Sequence, residues 1–305
     1  MIDLRSLRQF LAVAEELHFG RAAERLHMTQ PPLTQAIQKL EQSLGATLFE
    51  RSSRSVRLSA AGAALLPNAQ ALLTQAEGLP ALVQAAADGR RGRLNLGFVS
   101  TVGFGDLPRW LRSFRELYPE VALSLREATL DVQLPEFERG ELDAGFIIHA
   151  PGSQPAGFER LKIAREAMVL ALSADEAMAS GPSLDAAEVA RQPLVIFPRA
   201  IAPSLFEAVL DFYRQQQREP GIVQEAIQMQ TIVNLVSAGI GVAWVPASVM
   251  AFQRPGVVYK PVQGAVPTCE TSLIWRSDAA PAVQRFVAHV RAQLPQNLAP
   301  SKSAV

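Results

Sequence analysis

Residues 18–33 read HFGRAAERLHMTQPPL, and this stretch predicts two helices separated by a tight turn. Small side chains within residues 21–26 would let another helix pack closely, and residues 27–29 have the composition of a turn. Thr29 is a candidate N-cap for the second helix, and the two prolines after Gln30 fall in its first turn, where a missing N–H costs nothing. The stretch therefore predicts a helix-turn-helix.

The flanking segments extend this prediction to a winged helix-turn-helix. Residues 4–17 place apolar side chains on one face at helical period. The apolar residues of 33–44 also share one face, and Gly45 is placed to end that helix. Residues 47–51 and 55–58 then read as two short strands, which would form a hairpin wing.

A long helix, rich in alanine and leucine, is predicted over residues 59–88, with Ser59 as its cap. Its leucines recur at roughly heptad spacing and its charge is low, so its apolar face needs a partner, most simply a second copy of the chain. Pro67 and Pro80 should kink or interrupt it. Residues 88–93 are expected to be a linker.

Beyond residue 93 the pattern changes to short apolar strands that alternate with helices as far as residue 293. Such alternation is typical of parallel sheets with helices on both faces, here in two series that predict two lobes. Ligands of open α/β sheets bind at the carboxyl ends of the strands, so a cleft between the lobes is the expected site.

Composition and charge limit the function classes. The 305 residues are 49% hydrophobic and carry zero formal net charge, while residues 20–57 hold six Lys or Arg against three Glu, a modest basic patch. No apolar run approaches the ~20 residues of a membrane span. No signal peptide is evident, so we expect a cytoplasmic protein without membrane contact. The lone Cys269 excludes an intramolecular disulfide.

Motifs for catalysis are missing from the sequence. It contains neither Gly-x-Ser-x-Gly nor a Gly-Lys-Ser/Thr loop, and residues 97–105 lack the basic residue of a phosphate cradle. The four histidines do not have metal-ligand spacing. We therefore expect no catalytic residues, no metal and no cofactor. A DNA binder that senses no ligand stays open, whereas a transporter's solute-binding protein is disfavoured by the N-terminal helix-turn-helix.

Further motifs continue the opening stretch at family-like spacing. They are Ile37–Glu41, Leu44-Gly45, Leu48–Arg51 and Leu58–Gly62, and later Val236–Val242 with Val245-Pro246. Together they resemble LysR-type transcriptional regulators over nearly the whole chain. Gln30–Leu33 and Gly97–Ser100 look most like the subgroup that controls degradation of aromatic compounds.

The resemblance implies α/β architecture overall: a winged helix-turn-helix, a linker helix and a two-lobed effector-binding domain similar to periplasmic binding proteins. The expected boundaries are 1–58 for DNA binding, 59–89 for the linker and dimerisation helix, 90–295 for effector binding (lobe I about 93–163 and 267–295, lobe II about 164–266) and 296–305 for a polar tail. The implied partners are a double-stranded DNA operator, a small-molecule inducer and further copies of the chain, as a dimer and then a tetramer.

The predicted DNA contacts lie on the second helix of the motif and on the wing. A recognition helix meets base edges with its N-terminal residues, Gln pairs with adenine, and Thr contacts a thymine methyl. These residues are Thr29, Gln30, Pro31, Thr34, Gln35 and Gln38, with Arg51, Arg54 and Arg57 as phosphate or minor-groove contacts. Relatives often carry Ser-Arg where this chain has Thr34-Gln35, so their operator preference is not transferred.

The predicted effector contacts follow strands or begin helices, where free N–H groups suit a carboxylate. They are Ser100, Thr101, Thr129, Phe197, Pro198, Ile201, Pro203 and Gln230. Ser100 and Thr129 could instead be plain caps, and Phe197 and Ile201 plain core. Relatives often place an Arg shortly after the equivalent of Gly145-Phe146, where this chain has Ile147-Ile148. We therefore predict a monoanionic or neutral ligand, with Arg199 as a possible substitute for the missing charge.

Overall fold

The computed structural model describes residues 2–51 and 55–295, and the chain divides into two compact units that meet between Gln84 and Ala85. In the first unit, helices and a two-stranded antiparallel hairpin follow one another in the predicted order. They are α1 (Leu4–Glu16), α2 (Phe19–Arg25), α3 (Gln30–Leu44), β1 (Phe49–Arg51), β2 (Val56–Leu58) and α4 (Ala60–Ala87), which continues into the second unit.

The core of the first unit forms where the apolar faces of α1, α2 and α3 meet. Phe10, Leu33 and Ile37 are fully buried there, and Leu48 and Phe49 of the wing close it from one side. Gly45 ends α3 in the left-handed conformation at φ 66°, as the sequence predicts. Ser59 caps α4 by accepting a hydrogen bond from the Gly62 N–H at 3.0 Å.

Some local expectations for this part of the chain were met only in part. Thr29 occupies the predicted N-cap position of α3, but its side chain makes no cap hydrogen bond. Pro67 and Pro80 lie inside α4 without interrupting it, since the helix runs through 28 residues, and the alternative of a kink stays a prediction. The expected linker is shorter than residues 88–93, because Arg91 already belongs to a strand and pairs with Glu120.

The second unit alternates strands and helices, with short 3-10 turns between them. Its strands are β3 (Arg91–Phe98), β4 (Glu120–Glu127), β5 (Ala144–His149), β6 (Glu159–Ser173), β7 (Pro193–Ile196), β8 (Gly221–Glu225), β9 (Ala243–Pro246), β10 (Val257–Lys260) and β11 (Thr268–Trp275). Its helices are α5 (Leu107–Leu117), α6 (Leu130–Glu138), α7 (Ala186–Val189), α8 (Pro203–Gln215), α9 (Met229–Ser237) and α10 (Pro281–Ala292).

The large sheet of the second unit is mixed rather than purely parallel, which corrects the sequence prediction, while the small sheet of β7 and β8 is parallel. A seven-stranded sheet has the order β10-β6-β11-β5-β3-β4, with β9 also pairing β6. Strands β3, β4 and β5 are parallel, but β11 runs antiparallel to both β5 and β6. Strands β5 and β6 therefore run in the same direction, on either side of β11.

The 15-residue strand β6 serves two cores. Its first half contributes Leu161 and Ile163 to a core that also contains Leu94, Trp110, and Phe286 of α10. Its second half contributes Leu170 and Leu172 to a core built on α8, α9 and the strands β7 and β9. The second unit is therefore two lobes joined through one continuous strand. Among the described residues, no helix is both long and apolar enough to cross a membrane.

Candidate DNA-binding surface and ligand cavity

The two faces of α3 differ as a recognition helix requires. Leu33, Ile37 and Leu40 are buried in the core of the first unit. The opposite side carries predicted DNA contacts, and it exposes Thr29, Gln30, Pro31, Gln35 and Gln38, with Thr34 half-buried. The Thr34 hydroxyl donates to the Gln30 carbonyl oxygen at 3.1 Å. The hydroxyl hydrogen is therefore used within the helix, while the hydroxyl oxygen can still accept a hydrogen bond and the methyl group stays available for apolar contact.

The connections on both sides of α2 are defined by local geometry. His18 caps α2, because its Nδ1 accepts hydrogen bonds from the Gly20 N–H at 3.1 Å and the Arg21 N–H at 3.2 Å. His27 takes a left-handed conformation, with φ 52°, directly after α2. Both histidines are therefore structural parts of the motif.

The wing arginines differ in their surroundings. Arg51 forms an ion pair with Glu41 at 3.2 Å, and its guanidinium lies 4.6 Å from the centroid of the Phe19 ring. These contacts favour a structural role for Arg51 over the predicted phosphate contact. Arg57 is exposed on β2 and remains a candidate for phosphate binding. Arg54 lies outside the residues that the structure describes.

A narrow cavity lies in the second unit at the carboxyl ends of strands from both lobes. Its wall includes residues that directly follow β3, β4 and β7, which are the positions expected for a ligand in an α/β protein. The cavity volume open to the centre of a water molecule is about 50 Å³. At 10–15 Å³ for each water, this space takes about three to five waters.

Five of the predicted effector residues meet in the wall of this cavity: Ser100, Thr101, Thr129, Phe197 and Ile201. Ser100 Oγ accepts a long hydrogen bond of 3.5 Å from the Met229 N–H of α9 and so links opposite walls. Thr129 stands at the N-cap position of α6, where its hydroxyl donates to Asp131 instead of capping the helix. Phe197 and Ile201 line the cavity and also belong to or pack against the core of the second lobe, so their role as effector contacts stays a prediction.

Thr101 is a buried polar residue of the wall whose hydroxyl has no partner among the described residues. Its side chain is only 7% exposed, and its Oγ1 has no hydrogen-bond partner in the described part of the chain. An unpaired buried hydroxyl costs roughly 1–3 kcal/mol, so a ligand that pairs with Thr101 would recover this free energy.

Other predicted effector residues lie elsewhere. Pro198, Pro203 and Gln230 are not among the described wall residues, and Gln228, two positions earlier, lines the cavity instead. Arg199 is not in the wall either. Its side chain is 68% exposed and pairs with Glu207 at 2.8 Å, so the structure gives no support to Arg199 as the substitute charge.

The sequence reasoning missed Glu127, Gln228 and the apolar residues Met168 and Ile232, all of which line the cavity. Glu127 could have been predicted from the sequence, because it is the last residue of a parallel strand and precedes Thr129 by two positions. Nothing in the sequence predicts Met168 as a wall residue, since its place there depends on the long strand β6. No group of three or more His, Cys, Asp or Glu is placed to hold a metal ion within residues 2–51 and 55–295.

Comparisons with known proteins agree with both regions. Residues 4–63 match the family model described as bacterial regulatory helix-turn-helix protein, lysR family, and residues 87–295 match the LysR substrate binding domain. The HTH-type transcriptional regulator IlvR of Caulobacter vibrioides is 46% identical over 285 residues, which is 93% of this chain and 95% of IlvR. The HTH-type transcriptional regulator AlsR of Bacillus subtilis is 36% identical over 94% of each chain.

The solved structures extend this agreement to three dimensions. Full-length CbnR in complex with its target DNA has a TM-score of 0.82 and 32% identity, over 95% of this chain and 99% of CbnR. The similarity covers the helix-turn-helix and the effector-binding domain alike, and the relatives are named as regulators of transcription rather than as enzymes. This chain belongs to the LysR family of DNA-binding transcriptional regulators.

Proposed function

We propose that this regulator responds to a small organic metabolite bound in the cavity of its second unit. The observation that carries the proposal is Thr101, a buried hydroxyl without a partner in the wall of a cavity at the carboxyl ends of the strands. Native proteins rarely leave such groups unsatisfied, and a ligand is a direct way to satisfy this one. Neither a cofactor nor a catalytic residue is part of the proposal.

Contact with DNA would be made by the exposed face of α3 in the major groove, with Gln30, Gln35 and Gln38 near base edges. Because this chain has Gln35 where relatives often have Arg, we propose that its operator differs from theirs at the base pairs read from that position. A glutamine favours adenine, whereas an arginine favours guanine.

Assembly would begin with α4. Leu72, Leu79, Leu82 and Val83 are exposed on this helix in the single chain. We propose that two copies pair along this surface to make a dimer, and that two dimers make a tetramer in the cytoplasm. A dimer would hold two copies of α3 against half-sites about one DNA turn apart, roughly 34 Å.

The test combines DNA selection with a thermal-shift screen on the full-length protein. Genomic fragments bound by the protein are selected and sequenced, and gel shifts compare Gln35→Ala and Gln38→Ala with the parent. A recovered operator that both variants bind less well supports the proposed reading. Absence of any sequence preference would contradict it.

The ligand half of the proposal has its own readout. Small metabolites, including aromatic acids and their ring-cleavage products, are screened for stabilisation, and hits are repeated on Thr101→Val. A hit that is weakened in this variant and changes the gel shift supports a sensor. A folded protein that binds its operator but responds to no compound would favour the alternative, a ligand-independent regulator.

A further inference from the structure

We infer that the effector is a small zwitterion: an aliphatic molecule with a carboxylate and a protonated amine on neighbouring atoms, as in an α-amino acid. The inference rests on the proposed function, since it assigns a chemistry to the same cavity. Three features of the cavity support the inference: the charge of its wall, the helix N-termini that line it, and the apolar side chains that form the rest of the wall.

The wall provides a partner for a cation. Glu127 is the only ionisable side chain among the described wall residues, and it ends β4 at the mouth of the cavity. The wall contains no Arg, Lys or His within that described set. A dicarboxylate would therefore meet one like charge and no cationic side chain, whereas an ammonium group would meet a carboxylate.

The wall also provides partners for an anion without any basic residue. The N-cap residues of three helices line the cavity: Thr129 for α6, Ala202 for α8 and Gln228 for α9. None of the three N-cap side chains bonds to its own helix, although Ser100 Oγ accepts a long hydrogen bond from the Met229 N–H of α9. A helix N-terminus attracts negative charge through its remaining free N–H groups and its dipole. Thr101, buried and unpartnered in the same wall, adds a hydroxyl that can donate to a carboxylate.

The two kinds of partner lie close together along the chain. Glu127 and Thr129 are separated by one residue, Ala128, and all three line the cavity. A group that prefers a cation and a helix end that prefers an anion are thus neighbours. An α-amino acid carries its opposite charges on adjacent carbons, which suits this arrangement.

Apart from Ser100 the remaining wall is apolar, and the space is small. Ile148, Met168, Phe197, Leu205 and Ile232 supply hydrocarbon surface. With about 50 Å³ open to the centre of a water molecule, the cavity favours a compact aliphatic group over an extended aromatic one. Each methylene buried against this surface would tighten binding about fourfold.

The experiment is calorimetry of the full-length protein with matched probes. L-leucine and L-valine are compared with 4-methylpentanoate and 3-methylbutanoate, which lack the amine, and with 3-methylbutylamine and 2-methylpropylamine, which lack the carboxylate. The dicarboxylate probe is cis,cis-muconate. We expect at least one amino acid to bind about tenfold or more tightly than either of its fragments, because each fragment loses one charge-assisted interaction. Muconate should bind more weakly still.

Variants assign the amine to its partner. Glu127→Gln should weaken binding of the amino acid about tenfold while leaving its deaminated acid unchanged or tighter. The control is Glu138→Gln, which removes a carboxylate at the exposed end of α6, away from the described wall. Thr101→Val should weaken the amino acid and the deaminated acid alike.

The possible failures are distinguishable. If a deaminated acid or muconate binds as tightly as the amino acid, or if Glu127→Gln has no effect, the zwitterion inference is wrong while a ligand-responsive sensor stands. If neither amino acid binds, the inference is likewise wrong, and the broader screen decides the proposed function. If the protein without substitutions binds no operator at all, that result would instead count against the proposed function itself.

Discussion

At the scale of single residues, the wing separates two arginines that the sequence presents as equivalent. Arg51 on β1 forms an ion pair with the Glu41 carboxylate and lies over the face of the Phe19 ring. Its charge is therefore engaged by contacts within the first unit. Arg57 on β2 is exposed. Whether an arginine of the wing finds such partners depends on how α3 packs against the wing. The spacing of residues along the chain does not reveal this packing.

This difference leads to a paired prediction. Arg57→Ala should lower the slope of log affinity against log salt by about 1, because one phosphate contact and its released counterion are lost. Arg51→Ala should leave that slope unchanged but destabilise the first unit by about 1 kcal/mol, from a partly exposed ion pair and a cation–π contact. Fluorescence anisotropy over a range of salt, with thermal melting of both variants, measures the two effects. Equal slopes for Arg57→Ala and the parent protein would contradict the phosphate contact.

At the scale of elements, the start of α4 is packed against the wing through a glycine. A Cβ on Gly62 would lie 2.2 Å from the Leu48 carbonyl oxygen, so any other residue must push the helix and the wing apart. Gly78, in the same helix, has nothing within 4 Å of the equivalent position. Adding a side chain at these two positions should therefore change the stability of the protein in opposite directions.

A matched pair of alanine substitutions tests this contrast. Gly62→Ala should destabilise the first unit by roughly 1–3 kcal/mol through overpacking. Gly78→Ala should stabilise α4 by up to about 1 kcal/mol, because alanine loses less backbone entropy in a helix. Calorimetric melting of the full-length variants gives both values. A Gly62→Ala protein that melts at or above the parent temperature would show that the contact does not matter.

Elements were predicted well where periodicity decides them and poorly where tertiary context does. The stripe of Leu33, Ile37 and Leu40 and the terminal Gly45 correctly placed α3. Strand alternation predicted the lobes but not the antiparallel return of β11, because pairing partners about a hundred residues apart leave no local signal. For the cavity, Ser100, Thr101 and Thr129 could be inferred from strand ends, whereas Met168 and Gln228 depend on how the lobes fold.

At the scale of the whole molecule, the exposed surface of α4 is the feature that a single chain leaves unexplained. Leu79 and Val83 are 55% and 63% exposed. Each such side chain gains about 1.5–3 kcal/mol when it is fully buried, so paired helices would bury a large apolar surface. This surface is the physical reason to expect an obligate oligomer.

Assembly can be tested with two arginine substitutions on the same helix. Leu79→Arg should raise the dimer dissociation constant by about tenfold or more, since it places like charges within the expected interface. Ala81→Arg adds the same charge two residues further on, about 200° around the helix, and should leave the dimer intact. Sedimentation velocity of both proteins over a concentration series measures the change. Identical behaviour of the two variants would exclude pairing through the Leu79 face.

The long pairing between β6 and β11 also sets an order of events during synthesis. The core of the first unit is drawn from Leu7 to Leu73, so it is complete in the nascent chain long before the second unit. Lobe I must wait for β11 and α10, which begin some 170 residues or more after β3 ends, and 170 residues take roughly nine to thirty-four seconds at ordinary rates of translation. A growing chain thus passes through a period in which its operator-binding unit is already folded while β5, paired with β3, still lacks its second neighbour β11. The capacity to bind DNA is therefore synthesised before the capacity to be regulated.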